Sequence, residues 1–250
     1  MTHPPPPCVL LDWDTDFFGF RTGRVRGNTL TGTLIEQIEN WRTRNHIRCL
    51  YFLARSDDGL TTRLAEAHGF HLTDLRVTLE CKIPAPPPQK AEFLRPARED
   101  DLPTLTTLAR AGFTDSRFFY DPGFPRERAE ALYEAWVRRD FGDSSAIVLV
   151  AASAENLPLG YISCQHRPGQ DTAQIGLMGV SASARGRSAG QTLVNGALAW
   201  AAGRGAVRVT VVTQGRNVAA QRLYQRCGFL TRSVELWYHK WYDSEEDQYG

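Results

Sequence analysis

Lysine is almost missing from this chain. Only Lys82, Lys90 and Lys240 occur among its 250 residues, so arginine carries nearly all of the positive charge. Formal charges almost cancel, leaving +1 at pH 7. That balance predicts neither a nucleic-acid binder nor a protein dominated by an acidic tail. Genomic base composition accounts for arginine in place of lysine. Where arginines cluster, however, their planar bidentate donors suit phosphates. Cysteine is scarce as well. Cys8, Cys49, Cys81, Cys164 and Cys227 are scattered, odd in number and without Cys-x-x-Cys spacing. A disulfide framework and a zinc site are thereby excluded, and no metal is expected. No apolar run approaches the ~20 residues of a membrane helix. The start, MTHPPPPC, lacks the basic end and apolar core of a signal peptide. These absences point to a reduced, cytoplasmic protein with neither a nucleic-acid nor a membrane partner.

What is present is ordinary globular composition, 42% hydrophobic and 23% charged. The length suffices for one large domain or two small ones. Proline-rich IPAPPPQK, at 83–90, is stiff and extended and marks a boundary. The expected layout is a disordered tail over 1–8, an α/β subdomain over 9–84, a linker over 85–92, a second domain over 93–242 and an acidic tail over 243–250.

In the first part, Leu30, Leu34, Ile38 and Trp41 have helical spacing, and 47–54 reads as a buried strand. Asp57 or Asp58 can cap a short helix that ends at Gly69, followed by an alternating strand. After the linker come an Asp-capped helix near Leu102-Pro103 and a helix over 126–139. Strands over 145–152, 159–166 and 171–180 follow, with turn residues at 155–158. A helix over 190–202 buries Leu193, Val194, Ala197, Leu198 and Ala201. A strand at 206–214, a helix at 217–226 and a last strand at 230–241 complete the pattern.

The densest chemical signal is strand, loop, helix: LMGV, then SASARGRSAG, then QTLVNGALAW. Free N–H groups and the positive dipole end of the helix face whatever binds there. Arg185 and Arg187 add charge, while Gly186 and Gly190 permit close backbone approach. The construction suits a diphosphate. Downstream, NVAAQRLYQRCGF (217–229) repeats the form of DGLTTRLAEAHGF (58–70). Both carry Arg-Leu, a helix end and Gly-Phe, but Ala65 stands where the later stretch has Tyr224.

The loop Arg185-Gly186-Arg187-Ser188-Ala189-Gly190 resembles the acyl-CoA loop of the GNAT superfamily of N-acetyltransferases, with Ser188 where glycine is usual. Serine fits there if the position is already helical in backbone shape. Asn217, Ala219-Ala220, Leu223-Tyr224 and Gly228-Phe229 match that family's second motif. The resemblance implies an α/β (α+β) GNAT fold: a mixed central sheet flanked by helices, preceded by a smaller partial GNAT-like subdomain. It implies acetyl-CoA as cosubstrate and Tyr224 as general acid toward the departing thiolate, with Asn217 two helical turns earlier. A phenol of pKa near 10 is protonated at pH 7 and can do this. A core tyrosine beside Leu223 is the alternative. Backbone groups of Leu177, Met178, Gly179 and Val180 are expected to hold the pantetheine arm as an added strand. The cosubstrate set is completed by Arg185 to Gly190 and Asn217.

A narrower resemblance, carried by LDWDTDFFGF and AGFTDSRFFYDPGF (111–124), is to the TDP-fucosamine acetyltransferase family. It implies acetylation of the amino group of a TDP-linked deoxy-amino sugar by direct attack. Arg117 then pairs with the diphosphate, Phe118, Phe119 or Tyr120 stacks on thymine or covers the sugar face, and Asp115 orients the amine, with Ser116 and His166 beside them. No glutamate stands on the 171–180 strand, so the base is left open between His166 and a water held by backbone. Other acceptors (an antibiotic, a polyamine, a protein amino terminus) and a non-catalytic acyl-CoA sensor remain alternatives. The last strand can pair across a homodimer.

Overall fold

The computed structural model describes residues 5–89 and 91–242. The acidic tail expected over 243–250, and the first four residues of the leading tail, lie outside that range. In chain order the elements are β1 (Cys8–Leu10), α1 (Asp12–Phe18), β2 (Thr22–Val25), α2 (Gly32–Arg44), β3 (Cys49–Arg55), α3 (Gly59–Ala67) and β4 (His71–Lys82). Then come β5 (Leu94–Pro96), α4 (Leu102–Gly112), α5 (Arg117–Tyr120), α6 (Arg126–Gly142), β6 (Ala146–Ala152), β7 (Pro158–Gln165) and β8 (Thr172–Val180). The chain closes with α7 (Ala189–Gly203), β9 (Arg208–Gln214), α8 (Val218–Arg226) and β10 (Leu230–Trp241). The expected mixed α/β architecture is present: an open mixed sheet with helices against it.

The chain divides into two compact units. The first takes the residues up to Arg76, Ser116–Arg128, and those from Val234 on. The second takes Val77–Asp115 and Ala129–Ser233, so β4 and β10 each give part of their length to both.

In the first unit β1 runs antiparallel to β2, β2 parallel to β3, and β3 antiparallel to β10 from Glu235 to Trp241. The continuous apolar run of β3 is buried on both faces, as its sequence requires. Helix α2 begins where the Thr31 hydroxyl accepts the Leu34 N–H, and its Ile35 and Ile38 enter a core with Leu50, Phe52, Phe70 and Tyr238.

In the second unit β5, β6, β7 and β8 form an antiparallel run, and β9 lies parallel to β8. Helix α7 buries the expected face, Leu193, Val194, Ala197, Leu198 and Ala201. Gly196 on that face has no room for a side chain: a Cβ there would stand 2.0 Å from Leu94 Cδ2. This close seating fixes where the start of α7 points.

Candidate active site

Strand β8 changes character midway. Its lower part pairs with both neighbours: Gln174 and Ile175 face Gln165 and Cys164 of β7, and Ile175 faces Val211 of β9. Above that point two residues, Gly176 and Leu177, oppose the single residue Ser163, before pairing resumes at Met178↔Ile162. This is a β-bulge, which bends the bulged strand and re-aims its groups. The pairing with β9 ends at Ile175↔Val211, although both strands continue. The backbone from Gly176 to Val180 therefore leaves β9, and an extended ligand can take the vacated ladder. Leu177 and Gly179 are buried, Met178 and Val180 half-buried.

Above β8 the chain makes a short turn at Ala182–Ala184 and enters the arginine-glycine loop. Arg185, Gly186, Arg187 and Ser188 are exposed. Arg185 donates through Nε to the Val180 carbonyl at 3.4 Å, which keeps its charge beside the strand end. The first intrahelical bond of α7 runs from Thr192 N–H to Ser188 O at 2.9 Å. The N–H groups of Ala189, Gly190 and Gln191 thus head a 15-residue helix, an end whose free donors and dipole suit an anion. Ser188 corrects one expectation. Its backbone is not helical but left-handed, at φ 62° and ψ 1°. Glycine visits that region freely, whereas a residue with Cβ is strained by roughly 1–2 kcal/mol. Gly190 is set by packing: a Cβ there would meet Leu223 Cδ2 at 2.9 Å, so the start of α7 lies against α8.

Helix α8 carries the two residues singled out for chemistry. Asn217 caps it, Oδ1 accepting the Ala220 N–H at 3.0 Å. Tyr224 is buried, its ring 5.6 Å from that of Phe229. Burial, and then the neighbouring Cys227, push its phenol well above the ordinary tyrosine value, so its proton is retained at neutral pH. His166 is buried, and its Nε2 donates to the Gln170 carbonyl at 2.9 Å, closing the β7–β8 connection. Asp115 offers its backbone carbonyl to Arg216 at 3.5 Å. Strand end, loop, helix start, Asn217 and Tyr224 all belong to the second unit.

The remaining candidates belong to the first unit and form a different structure. Phe118 is buried, packed against Phe18 and Phe124. Tyr120 is 57% exposed. Among the described residues, the buried Ser116 hydroxyl finds no hydrogen-bond partner. The Arg117 guanidinium lies over the rings of Tyr51, Phe118 and Trp237 at 4.2–4.4 Å. Its Nη1 donates to His239 Nε2 at 2.6 Å, so the imidazole proton sits on Nδ1 and goes to Asp121 at 2.5 Å. Burial drives His239 down to about 4, against the pull of Asp121, and keeps it neutral. Burial also works to raise Asp121, but bonds from His239, Trp241 and the Gly123 N–H prevail and hold it low. Among the described residues, Arg117 Nε and Nη2 make no hydrogen bond. Sequence reasoning missed Asp121 and His239, which stand 118 residues apart; no local pattern links them.

The family model for the acetyltransferase (GNAT) family matches residues 109–229. A dTDP-fucosamine acetyltransferase of Escherichia coli is 30% identical over 234 residues, covering 92% of this chain and 96% of that protein. The spore coat polysaccharide biosynthesis protein SpsD of Bacillus subtilis is 30% identical over 59% of this chain and 50% of its own length. A GCN5-related N-acetyltransferase from Sphaerobacter thermophilus shares the fold, with a TM-score of 0.64 and 19% identity over 94% of this chain and 76% of that one. The chain belongs to the GNAT family of acetyltransferases, enzymes that draw their acetyl group from acetyl-CoA. Among the described residues no helix is long and apolar enough to cross a membrane, and no cluster of three or more His, Cys, Asp or Glu is placed to hold a metal.

Proposed function

We propose that this chain acetylates the amino group of a TDP-linked deoxy-amino sugar in the cytoplasm, with acetyl-CoA as donor. One observation carries the acceptor class: the similarity to a dTDP-fucosamine acetyltransferase runs nearly the full length of both chains. Acetyl-CoA supplies an activated thioester carbonyl. The open edge of Leu177 to Val180 suits its pantetheine amides, and the N-terminus of α7 with Arg185 and Arg187 suits its phosphates. Backbone N–H groups on that edge can polarise the carbonyl, which favours direct attack by the amine. A sugar amine with a pKa near 8 is already about a tenth neutral at pH 7, so a strong base is not compulsory. Tyr224 holds the proton that the departing sulfur requires. Asn217, by capping α8, fixes the helix on which Tyr224 stands.

For the acceptor, Arg117 is the anion partner, presenting the donors that His239 leaves uncommitted. Tyr120 is the ring exposed enough to stack on a base, and Phe118 contributes by packing Arg117. Asp115, Ser116 and His166 stay as contact candidates. We read the N-terminal residues 9–84 as a partial copy of the same fold, supported by the matching turns at Gly69 and Gly228.

The test is acetyl-CoA consumption with a panel of TDP-amino sugars beside polyamines and a peptide amine. Preferred turnover of a TDP-4-amino sugar supports the acceptor class. Release of CoA only with the other amines overturns it and leaves the family intact.

A further inference from the structure

We propose that Asp140 and Ser163 are positioning residues for the acetyl-donor strand: together they lock the bulge that parts β8 from β9. The proposal rests on the reading of that edge as the acetyl-CoA site.

Asp140, at the end of α6, is 1% exposed. Taking a carboxylate out of water is costly unless its oxygens are used. Here each one is. Oδ1 accepts from Arg139 Nη2 at 2.8 Å and Nε at 3.1 Å. Oδ2 accepts the Ser163 hydroxyl at 2.6 Å. That bond fixes the direction of the hydroxyl. With its proton given to Asp140, Ser163 Oγ turns a lone pair outward, and the Leu177 N–H donates to it at 2.8 Å. Leu177 is one of the two bulge residues opposing Ser163. A bulge leaves an extra backbone group without a ladder partner. Ser163 supplies that partner, so the strand gains nothing by slipping back into register.

The other bulge residue fits the same account. A Cβ on Gly176 would stand 2.7 Å from Ser163 Oγ and 3.1 Å from Asp140 Oδ2. The sequence omits a side chain where the polar pair sits. A buried charge thus directs a hydroxyl, the hydroxyl holds an amide, and the amide holds the strand open at the point where pairing with β9 stops.

Three variants test this: Ser163→Ala, Asp140→Leu and Asp140→Asn. Calorimetric binding of acetyl-CoA, steady-state kinetics and hydrogen exchange at the Leu177 amide are the readouts. Ser163→Ala and Asp140→Leu are expected to weaken acetyl-CoA binding and lower kcat/KM for acetyl-CoA about 10- to 100-fold, with acceptor KM unchanged and faster Leu177 exchange. Asp140→Asn still accepts the Ser163 hydroxyl and should stay within about threefold of wild type, its pH profile unshifted. Should Ser163→Ala fail to fold, Asp140→Leu against Asp140→Asn carries the same comparison, with Ser163→Thr, which keeps the hydroxyl, expected to match wild type. Wild-type acetyl-CoA binding and Leu177 exchange in a folded Ser163→Ala overturn the proposal. So does an Asp140→Asn enzyme as impaired as Asp140→Leu with a shifted pH profile, which would make Asp140 a proton acceptor. If the wild-type protein binds no acetyl-CoA, the cosubstrate reading fails, and Leu177 exchange in Ser163→Ala still decides whether the pair holds the bulge.

Discussion

At Asp58–Phe70 and at Asn217–Phe229 the chain makes the same helix and the same exit, almost bond for bond. Asp58 accepts the Thr61 N–H at 3.1 Å; Asn217 accepts the Ala220 N–H at 3.0 Å. Each helix leaves through a left-handed glycine, Gly69 at φ 74° and Gly228 at φ 87°. The following phenylalanine then reaches back: Phe70 N–H to Ala65 O at 2.9 Å, Phe229 N–H to Tyr224 O at 3.0 Å. Ala65 and Tyr224 therefore occupy one structural position, buried in both cases. The turn needs the cap, the glycine and the phenylalanine. It does not need a phenol. What stands at that position is open to chemistry, and only the later turn places a phenol there.

Four experiments sharpen or break this contrast. Tyr224→Phe keeps the packing and removes the proton. Its kcat at saturating substrates should fall about 10²- to 10⁴-fold with acetyl-CoA binding preserved; an unchanged kcat would end the general-acid role. The reciprocal change, Ala65→Tyr, forces a ring into a filled core and should cost about 1–3 kcal/mol in a denaturant titration, without touching the reaction. Gly69→Ala and Gly228→Ala should each cost about 1–2 kcal/mol, from backbone alone. No neighbour lies nearer than 3.7 Å to either added Cβ. Unequal losses would show that the two exits are not equivalent. The smallest effect is in acid. Hydrogen bonds from Thr61, partly offset by desolvation, hold Asp58 below its ordinary 3.8. Its cap contributes fully above that value and weakens as pH falls through the lowered one. Asn217 does not titrate. The melting temperature of Asp58→Asn should therefore be flatter than wild type below about pH 4.

Much of this architecture is legible in the sequence because it is periodic. The buried face of α7 follows from 3.6-residue spacing, and β10 spans the residues its pattern indicates, Leu230–Trp241. What the sequence hides is aperiodic or long-range. The residues DTAQIGLMGV alternate well enough to read as one regular strand, yet Gly176 and Leu177 break it, for reasons that lie in Ser163 and Asp140. Asp140 itself falls just past the expected helix end at Arg139, because α6 runs on to Gly142. Arg117 reads as a free phosphate ligand, but the fold brings His239 onto one side of it. The serine-for-glycine difference at Ser188 is visible in the motif, whereas its backbone cost shows only in the φ of the folded chain.

The pairing of β3 with β10 has a consequence for how the chain is made. Arg55 finds its ladder partner in Glu235, about 180 residues later. At translation rates of ~5–20 residues per second, β3 emerges from the ribosome roughly ten to forty seconds before the strand that covers its edge. The second unit, by contrast, has all of its segments in hand by Ser233. The part of the protein synthesised first is thus the part completed last, and its buried apolar run is what a nascent-chain chaperone would have to shield in the interval.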